Sequence, residues 1–162
     1  EMKEFVKGIG GYRKDLQDEL NHIARLIDAN CNCISCGYLT DAVDGGHYRS
    51  VSSDNSLRWH LMNIFLQCKR CNDPKRKGGN SAGYVDGLIK NFGRDIFEQI
   101  IDLKVQYPFI KLDIVTLKEK IVIARQIVKD VKELNMYDDL PRKTDLRIEL
   151  RVKYNKLLGI YL

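Results

Sequence analysis

Apolar residues near the start of the chain recur at the spacing of an α-helix. Between Tyr12 and Ala29 they follow one another at steps of four and three residues, at Leu16, Leu20, Ile23 and Ile27. Positions with this spacing share one face of a helix. The pattern predicts an amphipathic helix over about 12–29, with Gly10-Gly11 before it and Asn30 at its end as boundary residues.

Helical spacing returns in the second half of the chain. Ser81 can cap a helix that runs to Asn91 or the residue before it. Gly93 is a stop signal, and a second helix is predicted from there to about Gln106. Pro108 ends that helix, because proline cannot continue the backbone hydrogen bonds.

Two more helices are predicted near the end of the chain. The first carries six apolar residues at alternating steps of three and four: Ile114, Leu117, Ile121, Ala124, Val128 and Val131. This repeat spans less than three heptads, so a coiled-coil seam and packing into the chain's own core both remain open. After a break at Pro141, the last amphipathic helix is indicated by Leu146, Leu150, Tyr154 and Leu157.

The middle of the chain has a different character, because turn-forming and charged residues replace the helical repeat. Two short pieces rich in strand-forming residues, near Ala42–Arg49 and Leu57–Phe65, flank a loop of Ser, Asp and Asn. A helix can begin at Lys69 and reach about Arg76, although Pro74 limits it to the first turn. The predicted order is strand, loop, strand and helix.

Two Cys-x-x-Cys pairs bracket this segment, Cys33 with Cys36 and Cys68 with Cys71. Four thiolates in two knuckles are the ligand set of a structural Zn²⁺ site, which leaves no open position for water. Disulfides and four unrelated thiols are the alternatives. Cys31 is then the spare thiol, and an odd number of cysteines fits a reducing compartment.

Length and charge bound the class of protein only broadly. With 162 residues and a formal net charge of +5, the chain is long enough to bury a core and weakly favours an anionic partner. No apolar run approaches the roughly 20 residues of a membrane span, and no signal peptide opens the chain. We expect a soluble protein of the cytoplasm, and Glu1 as the first residue indicates a piece of a longer protein.

The residues between the cysteine pairs suit the hydrolysis of a phosphodiester. His47 titrates near neutral pH and can act as the general base that activates water. Asn63 is predicted to orient His47 through hydrogen bonds to the nearby backbone. Asp44 and Asn72 offer the oxygen ligands that Mg²⁺ or Mn²⁺ prefers, and the preceding knuckle fixes the direction of Asn72. The hypothesis is a His-Asn-Asn variant of the HNH nucleases.

The predicted fold class is α+β and mostly helical, with a ββα-metal (HNH) core that carries the four-Cys zinc site. Residues 1–162 form a single domain in this interpretation. Its parts are an N-terminal helix at 1–30, a zinc-stabilised HNH-like core at 31–80 and a helical C-terminal part at 81–162.

The same residues give the chain a resemblance to a known family. Their order is Cys33-Ile-Ser-Cys36-Gly37, Asp44-Gly-Gly-His47-Tyr48-Arg49, Leu57-Arg58, Asn63-Ile64, Gln67-Cys68, Cys71-Asn72, Gly79-Asn80 and Tyr84. This order resembles the phage lambda NinG (Rap) recombination proteins over about Cys33–Ile89, and the flanking helices are similar only in character.

The resemblance implies a phage or prophage endonuclease that acts in the cytoplasm of the bacterial host. Its substrate would be branched DNA, such as Holliday junctions and displacement loops formed during recombination. A homodimer is favoured, because two related active sites cut a symmetric junction most simply.

Two positions depart from the family pattern. The lambda-type pattern has a His two residues after Asn63, where this chain carries Phe65. His60 is no obvious substitute, because in an extended strand it would face the opposite way. Many HNH enzymes also place the first metal ligand directly before the base. That residue is a glycine here, so we expect Asp44 to reach the metal through a bend at Gly45-Gly46.

Seven cations are candidates for contacts with DNA phosphates: Arg49, Arg58, Lys69, Arg70, Lys75, Arg76 and Lys77. Such contacts depend on salt and do not read sequence. No base-reading element is evident, so recognition of DNA shape is expected. A solvated basic face is the alternative for each of them.

Two other functions stay open. A non-catalytic zinc-stabilised DNA-binding or scaffold module would need the cysteines and cations but not the His-Asn-Asn set. An HNH nuclease with a different substrate, such as a nicking or restriction enzyme, would need all of them.

Overall fold

Six α-helices and one two-stranded sheet make up the part of the chain that the computed structural model describes, residues 6–162 without the side chains at positions 77 and 78. Strands β1 and β2 span Val43–His47 and Ile64–Cys68, and a 3₁₀ turn at Leu61–Asn63 precedes β2. Helices α1 to α6 span Ile9–Ile27, Lys69–Asn72, Lys77–Phe92, Arg94–Gln106, Ile114–Asn135 and Thr144–Leu158. The predicted mostly helical α+β class is confirmed. Among these described residues, no helix is long and apolar enough to cross a membrane.

The two strands pair in antiparallel register, from Val43 opposite Cys68 to His47 opposite Ile64. Helix α2 begins at the residue after β2, so the second cysteine pair lies where the sheet meets this helix. The four-residue length of α2 agrees with the limit that Pro74 was predicted to set.

The second strand lies further along the chain than predicted. A strand over Leu57–Phe65 is wrong, because β2 begins at Ile64 and the segment before it forms turns. Leu57 lies in one of these turns and is fully buried. His60 stabilises the next one, where its Nδ1 accepts the N–H of Met62 at 3.2 Å. The apolar residues of this segment fill the core without strand pairing. A short apolar run therefore does not by itself indicate a strand.

Two helices begin earlier than predicted. Helix α1 starts three residues before Tyr12, because the N–H of Gly11 donates to the carbonyl of Gly8 at 3.0 Å and closes a turn there. Helix α3 starts four residues before Ser81. Its first turn is irregular, since Asn80 has φ 49° and its Oδ1 accepts a backbone N–H from the next turn.

The core forms where α1 packs along α5. The predicted apolar face of α1 is confirmed, because its four residues are fully buried. The repeat of α5 faces the same core from Leu117 to Val131, and Ile114 at its start is 38% exposed. In this chain the repeat therefore packs against the chain's own helices.

Buried charges replace part of the apolar face predicted for α6. Asp28, which directly follows α1, accepts hydrogen bonds from Nε of Arg147 at 2.8 Å and from Nη2 of Arg151 at 2.7 Å. All three side chains are buried. The predicted helix is present, but Leu146 and Leu157, two of the four apolar residues that indicated it, are exposed. The helix is turned so that two arginines face the carboxylate.

Candidate functional site

The four paired cysteines converge at one end of the sheet. Their sulfurs all lie within 4.8 Å of one another, and those of Cys36 and Cys68 are 3.9 Å apart. A tetrahedral zinc ion with Zn–S bonds of about 2.3 Å separates its sulfurs by about 3.8 Å. All five cysteines are free thiols, and Cys31 is buried outside the cluster. The cluster can therefore hold a metal ion such as zinc.

Hydrogen bonds from N–H groups reach two of these sulfurs, although burial raises the pKa of the Cys36, Cys68 and Cys71 thiols. The backbone N–H of Cys68 donates to Sγ of Cys33 at 3.2 Å, and Nδ2 of Asn80 donates to Sγ of Cys71 at 3.3 Å. Burial opposes ionisation of Cys33, but its N–H donors outweigh burial, so the pKa of this thiol lies below its ordinary value. Deprotonated sulfur is the form that binds a metal.

The ring of His47 is held at the last residue of β1 by a backbone carbonyl. Its Nε2 lies 2.9 Å from the carbonyl oxygen of Arg58, which can only accept a hydrogen bond. When Nε2 carries the ring proton it donates to this carbonyl, and Nδ1 then keeps its lone pair. The buried side chain of Gln17 in α1 places its carboxamide nitrogen 2.9 Å from the same Nε2, and its carboxamide oxygen accepts from Nε of Arg58 at 3.4 Å.

The surroundings of His47 favour its neutral form. Burial lowers its pKa below the ordinary 6.5; the carbonyl of Arg58 acts in the opposite direction, and the guanidinium of Arg58 lowers the pKa further. A neutral imidazole with a defined tautomer is the state that a general base requires.

Asn63 joins the residues that follow β1 to the loop before β2. Its Oδ1 accepts the N–H of Arg49 at 2.8 Å, and its Nδ2 donates to the carbonyls of Arg49 and Leu57, both at 3.2 Å. Asn63 is fully buried, so all these bonds are shielded from water. The side chain thereby fixes the backbone two residues beyond His47 and one residue before Arg58.

Asp44 and Asn72 are in direct contact. Nδ2 of Asn72, the last residue of α2, donates to Oδ2 of Asp44 in β1 at 3.2 Å. The bend expected at Gly45-Gly46 is wrong, because both glycines lie within the regular strand. Alternate residues of a strand share a face, so Asp44 lies on the face that a ligand directly before His47 would use.

Close packing explains the two glycines of β1. A Cβ at Gly45 would lie 2.8 Å from Cα of Asn21 in α1, and a Cβ at Gly46 would lie 2.1 Å from Oε1 of Gln67. Neither distance is tolerable for a side chain. The glycines therefore permit the close approach of the strand to α1 and to the side chain of Gln67.

One groove brings several of the predicted residues together. It has a volume of about 810 Å³, and its lining includes His47, Arg49, Ser50, Gln67, Asn72 and Ser81. We call it the His47 groove. The Nε of Arg49 is buried and has no hydrogen-bond partner among the residues that the structure describes. The groove thus contains the predicted base, one predicted metal ligand and an unsatisfied cationic donor.

The other predicted cations lie elsewhere. Arg70, Lys75 and Arg76 line a second cavity of about 840 Å³ beside the cysteine cluster. We call it the knuckle cavity. Arg58 is half-buried, with its guanidinium 5.0 Å from the ring centroid of Trp59.

Lys69 is exposed on α2. The side chain of Lys77 lies outside the described residues, so its predicted contact stays untested. The seven predicted cations therefore do not form one patch around His47.

His60 and Phe65 take no part in the His47 groove. His60 is buried against the ring of Tyr161, with ring centroids 4.7 Å apart, and burial lowers its pKa to about 4. Phe65 is fully buried, and the guanidinium of Arg151 lies 4.0 Å from its ring centroid. His60 does not replace the missing His, as predicted, although its place in a turn was not foreseen.

Sequence reasoning missed the residues that support the site from a distance. Gln17 contacts His47 across thirty positions, and no spacing pattern links them. Tyr84 was noted only within the motif order. Its hydroxyl donates to the carbonyl of Gly46 at 2.7 Å and accepts the N–H of Phe65 at 3.1 Å. Burial raises the pKa of Tyr84, so the hydroxyl stays protonated and cross-links the two strands.

Comparison with known proteins gives a consistent assignment. A family model described as "Bacteriophage Lambda NinG protein" matches residues 1–135. The proteins named "Protein ninG" of Escherichia phage lambda, Escherichia phage 933W and Salmonella phage P22 are each 39% identical to this chain over 88 residues.

The matched segment is 54% of this chain and 42% of the lambda and P22 proteins, or 43% of the 933W protein. The match therefore covers less than half the length of these relatives. No solved structure shows a significant match. Because the family model covers most of its length, the chain belongs to the NinG family.

Proposed function

We propose that this chain contains the nuclease region of a metal-dependent DNA endonuclease of the HNH type, which acts in phage recombination. The observation that carries the proposal is the hydrogen bond from Nε2 of His47 to the carbonyl of Arg58, beside a groove that also contains Asn72. When this bond is formed, the free lone pair is on Nδ1. A single histidine prepared in this way supports the role of general base.

In the proposed reaction, Nδ1 of His47 takes a proton from the water that attacks phosphorus. Asn63 acts as a positioning residue, because it holds the backbone on both sides of the histidine and does not touch the substrate. Gln17 restrains the same ring from α1. Arg49 lines the groove, and its guanidinium is the proposed contact for a phosphate oxygen there.

Asp44 and Asn72 are the proposed ligands of a catalytic Mg²⁺ or Mn²⁺. A carboxylate and a carboxamide offer the hard oxygen ligands that such cations take together with water. The hydrogen bond from Asn72 to Asp44 supports this assignment, because it shows that the two side chains are close enough to contact one cation. A bound divalent cation supplies charge stabilisation for the transition state and for the departing oxygen.

The four-Cys cluster is proposed to hold structural Zn²⁺. Four thiolates leave no position for a water, so this ion takes no part in the reaction. Its role is to fix the end of β2 and the start of α2, and through Cys71 it fixes Asn72.

Branched DNA is the proposed substrate, on the basis of the family resemblance of the motifs. We propose that a homodimer cuts the junction in the cytoplasm of the bacterial host. The proposed contacts are with phosphates and with DNA shape, which position a protein without reading sequence directly.

A cleavage assay tests this function. Zinc-loaded protein is incubated with a labelled four-way junction and with linear duplex of the same sequence, in Mg²⁺, in Mn²⁺ and in EDTA. We expect the junction to be cut in either metal and not in EDTA. Failure to cut any DNA would support the non-catalytic module, and equal cutting of linear duplex would indicate a nuclease with a different substrate.

The metal ligands are tested separately by titration of Mg²⁺. Asp44→Ala and Asn72→Ala should each raise the concentration needed for half-maximal cleavage, without loss of zinc. Asp41→Ala, an exposed acid outside the groove, is the matched control and should leave the titration unchanged. If Asn72→Ala abolishes metal dependence and Asp44→Ala does not alter it, the carboxylate assignment is wrong.

A further inference from the structure

The tip of the first zinc knuckle exposes two large apolar side chains. Tyr38 is 75% exposed and Leu39 is 69% exposed, directly after the Cys33–Cys36 pair. Single apolar residues scattered over a surface need no explanation. An exposed aromatic ring beside cations, however, suits contact with a ligand that carries both flat rings and negative charge. These two residues, which we call the knuckle tip, are therefore a candidate contact surface.

The backbone under Tyr38 is held rigidly. The N–H of Cys33 donates to the carbonyl of Tyr38 at 2.9 Å, and the N–H of Gly37 donates to the carbonyl of Cys33 at 2.9 Å. Gly37 has φ +73°, a conformation that favours glycine, so the turn brings Tyr38 back over the knuckle. Because the backbone is already ordered, little backbone entropy is lost when a ligand binds at Tyr38.

Tyr38 lies at the edge of a cationic surface. It lines the knuckle cavity together with Arg70, Lys75 and Arg76, and the described lining of that cavity contains no carboxylate. Arg76 has Asp73 at 3.7 Å, an exposed pair that leaves the cation available to solvent. An aromatic ring next to several cations is the composition of surfaces that bind single-stranded nucleic acid.

The knuckle cavity and the His47 groove share a wall. Within the segment 71–81, Asn72 and Ser81 line the groove, whereas Lys75 and Asn80 line the cavity. A DNA strand held in the groove can therefore continue over this segment onto the knuckle tip. The two surfaces are suited to bind one DNA molecule at neighbouring positions.

We propose that Tyr38 forms a stacking surface for an unpaired base at the branch point of DNA, with the cavity cations binding the adjoining phosphates. This inference rests on the proposed function in that the partner is DNA, and it deepens that function by naming the feature that distinguishes branched from linear DNA. A base in intact duplex has both faces covered by its neighbours. An unpaired base at a branch offers a free face to the ring of Tyr38.

A binding assay without divalent metal tests the stacking surface apart from cleavage. Anisotropy of zinc-loaded protein is measured with two labelled probes, a forked duplex with unpaired thymines at the branch and a fully paired duplex of the same length. Tyr38→Ala should weaken binding to the fork by about 5- to 160-fold, the range expected for one stacked base. Its affinity for the paired duplex should change by less than about twofold.

Matched variants separate stacking from other effects. Tyr38→Phe keeps the ring and should bind the fork like the native protein. Tyr137→Ala removes another exposed tyrosine, 89% exposed and outside the cavity, and should also bind normally. Lys75→Ala should weaken both probes and reduce the salt dependence, because it removes a phosphate contact.

Fork binding that is unchanged in Tyr38→Ala, or lost equally on both probes, would overturn the inference. So would a native protein that binds neither probe. Binding and cleavage can fail independently: Tyr38-dependent fork binding without any cleavage upholds the stacking surface and refutes the nuclease. Junction cleavage that does not depend on Tyr38 upholds the nuclease and refutes the stacking surface.

Discussion

Replacement of Asp28 by asparagine tests whether the buried ion network holds the two ends of the chain together. The carboxylate accepts from Arg147 and Arg151 of α6, and its Oδ2 also accepts the N–H of Leu66 in β2 at 2.9 Å. One side chain thus connects α1, β2 and α6. The amide of asparagine keeps the size but removes the negative charge that both buried guanidinium groups require.

The structure gives the size of this effect. Burial alone would raise the pKa of Asp28, but the two arginines lower it from 3.8 to about 2. At 1.36 kcal/mol per unit, the folded state favours the ionised carboxylate by about 2 kcal/mol. Loss of one partner from a buried pair costs more, about 3–5 kcal/mol, because the remaining charges stay buried without compensation. Asp28→Asn should therefore lower the free energy of unfolding by about 3–5 kcal/mol.

Urea unfolding of zinc-loaded protein, followed by circular dichroism, measures this loss. Asp18→Asn is the matched control, because Asp18 lies on the same helix in an exposed pair with Lys14 and should cost less than about 1 kcal/mol. In native protein the carboxylate contribution is present above pH 3.8 and is lost as the pH falls through about 2. A loss below about 1 kcal/mol in Asp28→Asn, at unchanged urea dependence, would show that the network does not stabilise the fold.

Three further predictions concern the metal, acid stability and packing. Protein purified without added metal should contain about one zinc per chain, and Cys68→Ser should lose the zinc and unfold the region; disulfides in fresh protein would contradict this. Burial lowers the pKa of His60 from 6.5 to about 4. The neutral ring therefore contributes about 3 kcal/mol to the free energy of unfolding above pH 6.5, and this contribution is lost as the pH falls to 4. If His60→Gln leaves the loss of stability in acid unchanged, this prediction is refuted. Gly87→Ala should lower the free energy of unfolding by at least about 1–3 kcal/mol, because its Cβ would lie 1.7 Å from the carbonyl oxygen of Ile34. Gly10→Ala has open space around its Cβ and should be neutral or stabilising in the same measurement. Equal costs for the two variants would contradict this packing.

Local patterns predicted most of the helices because each depends on a repeat within a few residues. The apolar face of α1 and the 3-4 repeat of α5 are examples. The cysteine cluster followed from paired spacing in the same way. Such signals are local, so a single sequence contains them.

Contacts between distant segments could not be read from any repeat. The position of β2 was missed because the apolar residues from Leu57 onward fill the core from turns. The burial of the α6 arginines was not predicted, because their partner Asp28 lies 119 and 123 positions away along the chain. Gln17 was missed for the same reason, since its partner His47 lies in another element. For the arginines and for Gln17, the polar partner lies far along the chain.

His47 is the proposed base of a DNA endonuclease. The direct measurement is single-turnover cleavage of a labelled junction in Mg²⁺ by native protein, by His47→Ala and by His22→Ala, with junction binding measured in parallel. His22 lies on α1 outside the groove and serves as the matched control. We predict that His47→Ala cuts at least about 10²-fold more slowly while it binds normally, and that His22→Ala cuts at the native rate. Native cleavage by His47→Ala would contradict the account.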